Sequence, residues 1–151
     1  NISFQEFKSI NELNAEDREL AGSAIQAMGR AYAPYSHFHV GAAVRMSNGQ
    51  IVEGANQENA AFPSGLCAER TAMFAASAKY PDKDIRSIAL AGGVHGLLTD
   101  MPATPCGACR QVMAQYQTKA GKPLSVIMIG KSRVWKFEKV NDILPLIFDS
   151  I

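Results

Sequence analysis

The three cysteines are the strongest constraint on how this chain of 151 residues can fold. They lie in two short stretches, 67–70 and 105–110, which read Cys-Ala-Glu-Arg and Pro-Cys-Gly-Ala-Cys-Arg. Three cysteines cannot all pair within one chain, and a Cys-x-x-Cys pair in a reducing compartment indicates metal or redox chemistry. Three thiolates with one open position are typical of catalytic zinc, because closed structural sites normally use four protein ligands. We therefore expect the fold to bring Cys67, Cys106 and Cys109 together around Zn²⁺.

Composition and charge limit the kinds of partner that the chain can have. With 47% hydrophobic and 19% charged residues it resembles an ordinary soluble globular protein, and a single domain over 1–151 is expected. Fifteen basic and fourteen acidic residues leave a formal charge of +1, so no basic face for nucleic acid is indicated. No apolar run approaches the roughly 18 residues of a membrane span, and 1–14 lacks a secretory pattern. These features predict a small neutral substrate and a cytoplasmic protein without nucleic-acid or membrane partners.

Hydrophobic periodicity predicts strands that alternate with helices, which implies a layered α/β domain. Asn14 and Asp17 resemble a capping box at the start of the first helix, and Pro34 stops that helix. Asn48-Gly49 is a strong hairpin signal. The other predicted elements are a hairpin over 38–55, helices starting near Cys67 and Cys106 and ending near 80 and 116, strands over 85–91, 124–129 and 134–140, and a short terminal helix over 143–148.

Both cysteine stretches fall at predicted helix N-termini. Unpaired backbone amides and the helix dipole stabilise negative charge there, so the thiols ionise more easily. Three thiolates around Zn²⁺ leave a formal charge of −1, which weakens the ion as a Lewis acid. Arg70 and Arg110, one in each cysteine stretch, are candidates to offset this charge through N–H···S contacts.

Glu69 is the candidate catalytic group. It lies two residues after Cys67, beside the expected open position, and is not expected to bind the metal. A carboxylate there can accept a proton from metal-activated water and deliver it to the substrate. The competing interpretation is a carboxylate at a helix start, where the helix dipole favours it.

Further motifs extend along most of the chain. A Cys-x-Glu stretch followed by Pro-Cys-x-x-Cys is the signature of zinc-dependent nucleobase deaminases, in the form where Cys replaces His. With these motifs the chain resembles the cytidine deaminase family, specifically its small all-cysteine, homotetrameric type. The remaining matches are Ala33-Pro34-Tyr35-Ser36, Phe38-x-Val40-Gly41-Ala42-Ala43, Gly54-x-Asn56-x-Glu58-Asn59-Ala60-Ala61 and Leu144-Pro145-x-x-Phe148.

The resemblance implies a reaction and a fold. It implies a three-layer αβα domain with a mixed five-stranded sheet. The expected reaction converts cytidine and 2′-deoxycytidine to uridine and 2′-deoxyuridine with release of ammonia, in pyrimidine salvage. Zinc-activated hydroxide would attack C4 while Glu69 shuttles the proton.

The resemblance also implies how a nucleoside is held. Asn56 and Glu58 would bind the ribose 3′-hydroxyl, which an amide and a carboxylate can satisfy as acceptor and donor. Phe38 would pack on the pyrimidine, and the backbone amide of Ala68 would contact the base carbonyl. Phe148 would stack on a base bound in a neighbouring subunit of the tetramer.

Other interpretations remain open from the residues alone. The cysteines could be buried small hydrophobes or a redox pair, and Arg70 a solvated helix residue. Asn56 and Glu58 could satisfy a loop, and Phe38 and Phe148 could be core residues. The rival functions are a deaminase of another cytosine-containing substrate, such as a nucleoside antibiotic or single-stranded nucleic acid, and a non-catalytic zinc-stabilised module.

Three departures from the family pattern affect the sugar and the interfaces rather than the metal. Phe62 stands where the family often has Tyr, the loop before Pro105 is slightly longer, and about a dozen residues precede the first helix. They leave the preference between ribose and deoxyribose open.

Overall fold

The structure is a computed structural model that describes residues 1–150. Its centre is a mixed six-stranded sheet with the strand order β1-β6-β5-β4-β2-β3. In the described residues β4 and β5 pair in parallel, whereas the other neighbouring strands pair antiparallel. The strands are β1 (Gln5–Phe7), β2 (Phe38–Met46), β3 (Ile51–Ala55), β4 (Ile85–Val94), β5 (Ser125–Ile129) and β6 (Val134–Phe137).

Helices cover both faces of this sheet, which confirms the expected three-layer αβα arrangement. The helices are α1 (Ala15–Ala27), α2 (Ala68–Lys79) and α3 (Gly107–Ala120). The alternation of β4 separates two cores: Ile88 and Leu90 face α2 and α3, whereas Ala89 and Ala91 face α1. Within the part of the chain that the structure describes, no helix has the length and apolar character needed to cross a membrane.

The first helix begins where the sequence predicts, but one half of its capping box is different. The Asn14 side chain accepts a hydrogen bond from the backbone N–H of Asp17 at 2.9 Å. The Asp17 carboxylate does not reach back to the cap; it accepts from Lys136 Nζ at 2.6 Å. This largely buried ion pair links the start of α1 to β6, a contact between residues 119 positions apart.

The sheet has one strand more than the five expected. The additional strand, β1, contains only three residues and shows no period-2 alternation that sequence reasoning could detect. It exists because β6 offers a free edge: Glu6 lies opposite Trp135 and accepts from its indole N–H at 2.9 Å. Phe4 also stacks on Phe137 with ring centroids 5.0 Å apart. Tertiary contacts therefore define this strand.

The predicted terminal helix over 143–148 is wrong. The chain forms a short 3-10 turn at Val140–Asp142 and then continues without helix. Six residues are too few to nucleate a helix without strong packing, and Pro145 biases the preceding residue away from helical backbone angles. Leu146 is 92% exposed, whereas Ile143, Leu144 and Ile147 pack against the core without forming a helix.

Gly41 permits an unusually close approach between β2 and α1. A Cβ atom at this position would overlap the carbonyl oxygen of Ala24 and lie 2.5 Å from the backbone nitrogen of Met28. Both of these atoms belong to the backbone at the end of α1, so a flexible side chain cannot relieve the overlap. The distance between α1 and the sheet therefore depends on having glycine, with no Cβ atom, at position 41.

We expect Gly41→Ala to lower the free energy of unfolding by about 3 kcal/mol, because the helix must move to accommodate the methyl group. Gly22→Ala is the matched control, since Gly22 is exposed on α1 with open space around its Cα. It should raise stability by about 0.5–1 kcal/mol through helix propensity. Denaturant unfolding of the zinc-loaded variants measures both changes, and coinciding midpoints would contradict the packing argument.

Candidate metal centre and active site

The three cysteine sulfurs converge at one end of the sheet, as the sequence predicts. Cys67 is the N-cap of α2, Cys106 is the N-cap of α3, and Cys109 lies in the first turn of α3. All three sulfurs lie within 4.8 Å of one another, with 3.7 Å between Cys67 and Cys106 and 3.5 Å between Cys106 and Cys109. Tetrahedral zinc with Zn–S bonds of about 2.3 Å requires S–S distances of about 3.8 Å. The donor set therefore fits zinc.

Two helix N-termini provide the electrostatic setting of the sulfurs. Neither N-cap cysteine uses its side chain to cap the helix, so both sulfurs remain available as ligands. Hydrogen bonds from the Cys109 thiol and the Arg70 guanidinium lower the pKa of Cys67 to about 5. The same sharing with Cys67 raises the pKa of Cys109. A bound cation would replace the shared proton, because metal ligation requires deprotonated sulfur.

The two arginines next to the cysteines have different roles. Arg70 donates from Nη2 to the Cys67 sulfur at 3.5 Å, which is the contact expected from the sequence. Its Nε is buried and has no hydrogen-bond partner in the described residues. The corresponding expectation for Arg110 is wrong: it donates to the carbonyl oxygens of Pro105 at 2.9 Å and Ile143 at 3.0 Å. Arg110 thus links the start of α3 to the C-terminal segment.

Glu69 lies in the first turn of α2 and is 4% exposed. Burial raises the pKa of its carboxyl to about 7, and the negative charge of the Cys67 thiolate acts in the same direction. Its own backbone amide opposes the rise. A carboxyl group in this environment can hold or release a proton near neutral pH, which general acid–base catalysis requires.

A cavity of about 520 Å³ adjoins the sulfur cluster. Its lining includes Cys67 and Arg70 together with Asn56, Glu58 and the exposed aromatic Phe62. The cavity therefore brings both predicted sugar-binding residues together with Cys67, one of the three clustered cysteines. Its volume lies in the range of small-molecule sites.

Asn56 is held by the backbone of β2. Its Oδ1 accepts from the N–H of Val40 at 2.8 Å, and its Nδ2 donates to the carbonyl oxygen of Phe38 at 2.8 Å. These bonds use one acceptor position and one N–H of the amide, so a second N–H remains for a ligand. Asn56 can therefore satisfy backbone groups of the neighbouring strand and still bind a ligand.

The other predicted substrate contacts lie in different surroundings. The Phe38 ring, at the start of β2, packs against Gly92, where a Cβ would be 3.0 Å from Phe38 Cε2. Ala68 is fully buried at the first position of α2. Phe148 is 66% exposed and does not line the cavity, while its carbonyl oxygen accepts from Gln111 Nε2 at 2.6 Å. The substrate roles of these three residues stay predictions.

Sequence reasoning assigned no role to Tyr35 and Ser36, which also line the cavity. Both contact the carboxylate of Glu58, more than 20 residues away along the chain. The motif over 33–36 indicated that these residues matter, but a motif does not reveal which distant side chain accepts hydrogen bonds from its backbone amides.

Three sulfurs at two helix N-termini, with a buried carboxyl beside them and an adjoining cavity, define the class as a zinc-dependent hydrolase. The chain belongs to the cytidine and deoxycytidylate deaminase family, because residues 14–122 match that family's zinc-binding region. It is 48% identical over 100 residues to a cytidine deaminase of Halalkalibacterium halodurans, covering 66% of this chain and 71% of that protein.

Solved structures show the same relationship. The cytidine deaminase of Burkholderia pseudomallei superposes with a TM-score of 0.73 at 38% identity, covering 86% of this chain and 97% of that one. The cytidine deaminase of Mycobacterium tuberculosis gives a TM-score of 0.69 at 32% identity, covering 87% and 96%. The fold expected from the sequence is thus confirmed.

We expect the purified protein to contain one zinc ion per chain and Cys106→Ser to lose most of it, because a hydroxyl is a poor zinc ligand compared with a thiolate. Cys106 is exposed, so this change should leave the core intact. Elemental analysis of the folded proteins measures the ratio of metal to protein. Full zinc content in Cys106→Ser would exclude this sulfur as a ligand.

Proposed function

We propose that this chain catalyses the hydrolytic deamination of cytidine and 2′-deoxycytidine to uridine and 2′-deoxyuridine. Water adds at C4 of the cytosine ring, the C4–N bond breaks, and the amino group leaves as ammonia. The observation that supports this most directly is the buried carboxyl of Glu69, two residues after a cysteine of the three-sulfur cluster. A structural zinc site would gain nothing from that carboxyl or from an open coordination position.

In the proposed mechanism Cys67, Cys106 and Cys109 hold the zinc ion, and Glu69 moves protons. The ion, when bound, supplies Lewis acidity that makes water a nucleophile near neutral pH. Glu69 accepts a proton from the attacking water and delivers it to the ring nitrogen N3. It then assists proton transfer to the leaving amino group. Burial of Glu69 supports this role, because it raises the carboxyl pKa towards the working pH.

Two of the proposed substrate contacts, Asn56 and Glu58, lie on the cavity. Asn56 and Glu58 bind the ribose 3′-hydroxyl, and their place on the cavity that also contains Cys67 supports this assignment. The amide of Ala68 contacts the base carbonyl, and Phe38 packs on the pyrimidine ring. Arg70 offsets thiolate charge through its contact with the Cys67 sulfur.

We further propose a homotetramer in which Phe148 stacks on the base in a neighbouring subunit. Its exposure supports this, as does that of Phe62 and Phe74, which are large apolar side chains left uncovered in the isolated chain. The formal charge of +1 supports a small neutral nucleoside over nucleic acid or a membrane surface. A role in pyrimidine salvage in the cytoplasm is consistent with that substrate and with reduced cysteines.

Glu69→Gln should retain zinc and lower the rate of cytidine deamination by about 10²- to 10⁴-fold, because the amide cannot transfer the proton. Glu16→Gln is the matched control: Glu16 occupies the same position in the first turn of α1 but is exposed and remote from the cysteines. Ultraviolet absorbance follows the conversion of cytidine to uridine. Wild-type activity in Glu69→Gln would remove the carboxyl from the mechanism.

Substrate class and metal dependence can be tested together on the wild-type protein. We expect turnover of cytidine and 2′-deoxycytidine, loss of activity after chelation, and recovery on adding zinc. A short single-stranded oligonucleotide should remain unchanged. Deamination of the oligonucleotide in preference to the nucleosides would support the polymer alternative, and zinc binding without any turnover would support a non-catalytic module.

A further inference from the structure

We infer that Ser36 is a positioning residue for sugar recognition: it orients the Glu58 carboxylate towards a substrate hydroxyl and couples it to the strand that begins with Phe38. This inference rests on the proposed function, because it concerns the nucleoside that the cavity would bind. It adds a residue to which neither the sequence motifs nor the metal centre assigns a role.

The Glu58 carboxylate is held by three donors from two consecutive residues. Its Oε1 accepts from the backbone N–H of Tyr35 at 2.9 Å and from that of Ser36 at 3.1 Å. Its Oε2 accepts from the hydroxyl of Ser36. A carboxylate that accepts backbone and hydroxyl bonds together has a defined orientation, because rotation about its side chain would break several bonds at once.

A count of acceptor positions shows what remains for a ligand. An ionised carboxylate offers about four acceptor positions, two on each oxygen. Oε1 of Glu58 uses both of its positions, so the remaining one is on Oε2, the oxygen that binds the Ser36 hydroxyl. Asn56 keeps one free N–H. A substrate hydroxyl can therefore donate to Glu58 and accept from Asn56.

The hydroxyl of Ser36 also contacts β2. It accepts from the backbone N–H of Phe38 at 3.0 Å while its own proton is donated to Glu58. One hydroxyl thus connects the proposed sugar-binding carboxylate with the residue proposed to pack on the base. The turn is fixed further by His37, which adopts a left-handed φ of 57° and accepts from the N–H of His95 at 2.8 Å.

The electrostatics agree with this geometry. The hydroxyl bond from Ser36 is the largest influence lowering the pKa of Glu58, followed in the same direction by the backbone amides of Ser36 and Tyr35 and by the nearby His37. Glu58 is therefore ionised and able to accept throughout the neutral range. Since its folded-state pKa is lowered, this acceptor is lost only as the pH falls through that lowered pKa.

The kinetic test compares Ser36→Ala with wild type on cytidine and on 3′-deoxycytidine, using zinc-loaded enzyme. Removing the hydroxyl should raise KM for cytidine about tenfold and change kcat less than about twofold, because a charge-assisted bond that orients Glu58 is lost. On 3′-deoxycytidine, which has no 3′-hydroxyl to present to Glu58, the variant and wild type should have the same KM. Equal losses on both substrates would overturn the inference.

Two further variants separate positioning from general structural damage. Ser36→Thr keeps the hydroxyl and should restore KM to near the wild-type value. Ser47→Ala is the matched control: Ser47 follows the other end of β2, and its hydroxyl likewise accepts a backbone N–H, from Asp84 at 3.1 Å. It should leave KM and kcat unchanged on both substrates. Failure of the threonine variant to restore KM, or an equal effect of Ser47→Ala, would contradict the inference.

A readout that needs no turnover keeps this test separate from the proposed function. The carboxyl ¹³C shift of Glu58, assigned by its loss in Glu58→Gln, should titrate below the ordinary value in wild type. In Ser36→Ala the pKa of Glu58 should move back towards that value. If the wild-type protein did not deaminate cytidine, the proposed function would be wrong. The titration would still test whether Ser36 orients Glu58. An unchanged Glu58 pKa in Ser36→Ala would overturn the inference.

Discussion

The packing of α2 and α3 on one face of the sheet is the constraint on which the metal centre depends. Cys67 and the Cys106–Cys109 pair belong to different helices, and their sulfurs meet only because both helices begin at the same end of the sheet. Small residues set the distances: a Cβ at Gly54 of β3 would lie 2.5 Å from the backbone nitrogen of Ala72 in α2. A shift of one helix by about an ångström would separate ligands that need S–S distances near 3.8 Å.

The electrostatics of the site follow from this packing. Two helix N-termini and the Arg70 guanidinium surround sulfurs that carry negative charge when ionised, which offsets the repulsion among them. The pKa of Glu69, buried beside the cluster, shifts in the opposite direction to that of Cys67, because burial and the Cys67 thiolate both disfavour the ionised carboxylate. One helix start therefore holds an easily ionised thiol and a carboxyl that keeps its proton to unusually high pH.

The rim of the cavity shows that structural and binding roles need not compete. Asn56 and Glu58 satisfy backbone groups of β2 and of the turn at 35–36, which is the role that a loop residue would have in any fold. The same bonds fix the direction in which the unused N–H and the unused acceptor position point. Binding a ligand through these two groups would cost little side-chain entropy of the protein, because Asn56 and Glu58 are already ordered.

The sequence by itself determined the local elements and the chemistry of the cysteines. Helical periodicity, the Asn14 cap and the motif spacing are local signals, so they predicted the three helices, the hairpin and the convergence of three sulfurs. Only the tertiary structure decided that β1 pairs with the edge of β6 and that no helix forms over 143–148. It likewise decided the hydrogen bonds from Arg110 to Ile143 and from Ser36 to Glu58. Most of these contacts join residues 22 to 129 positions apart, and a pattern with a period of two or four residues contains no information about partners at that distance.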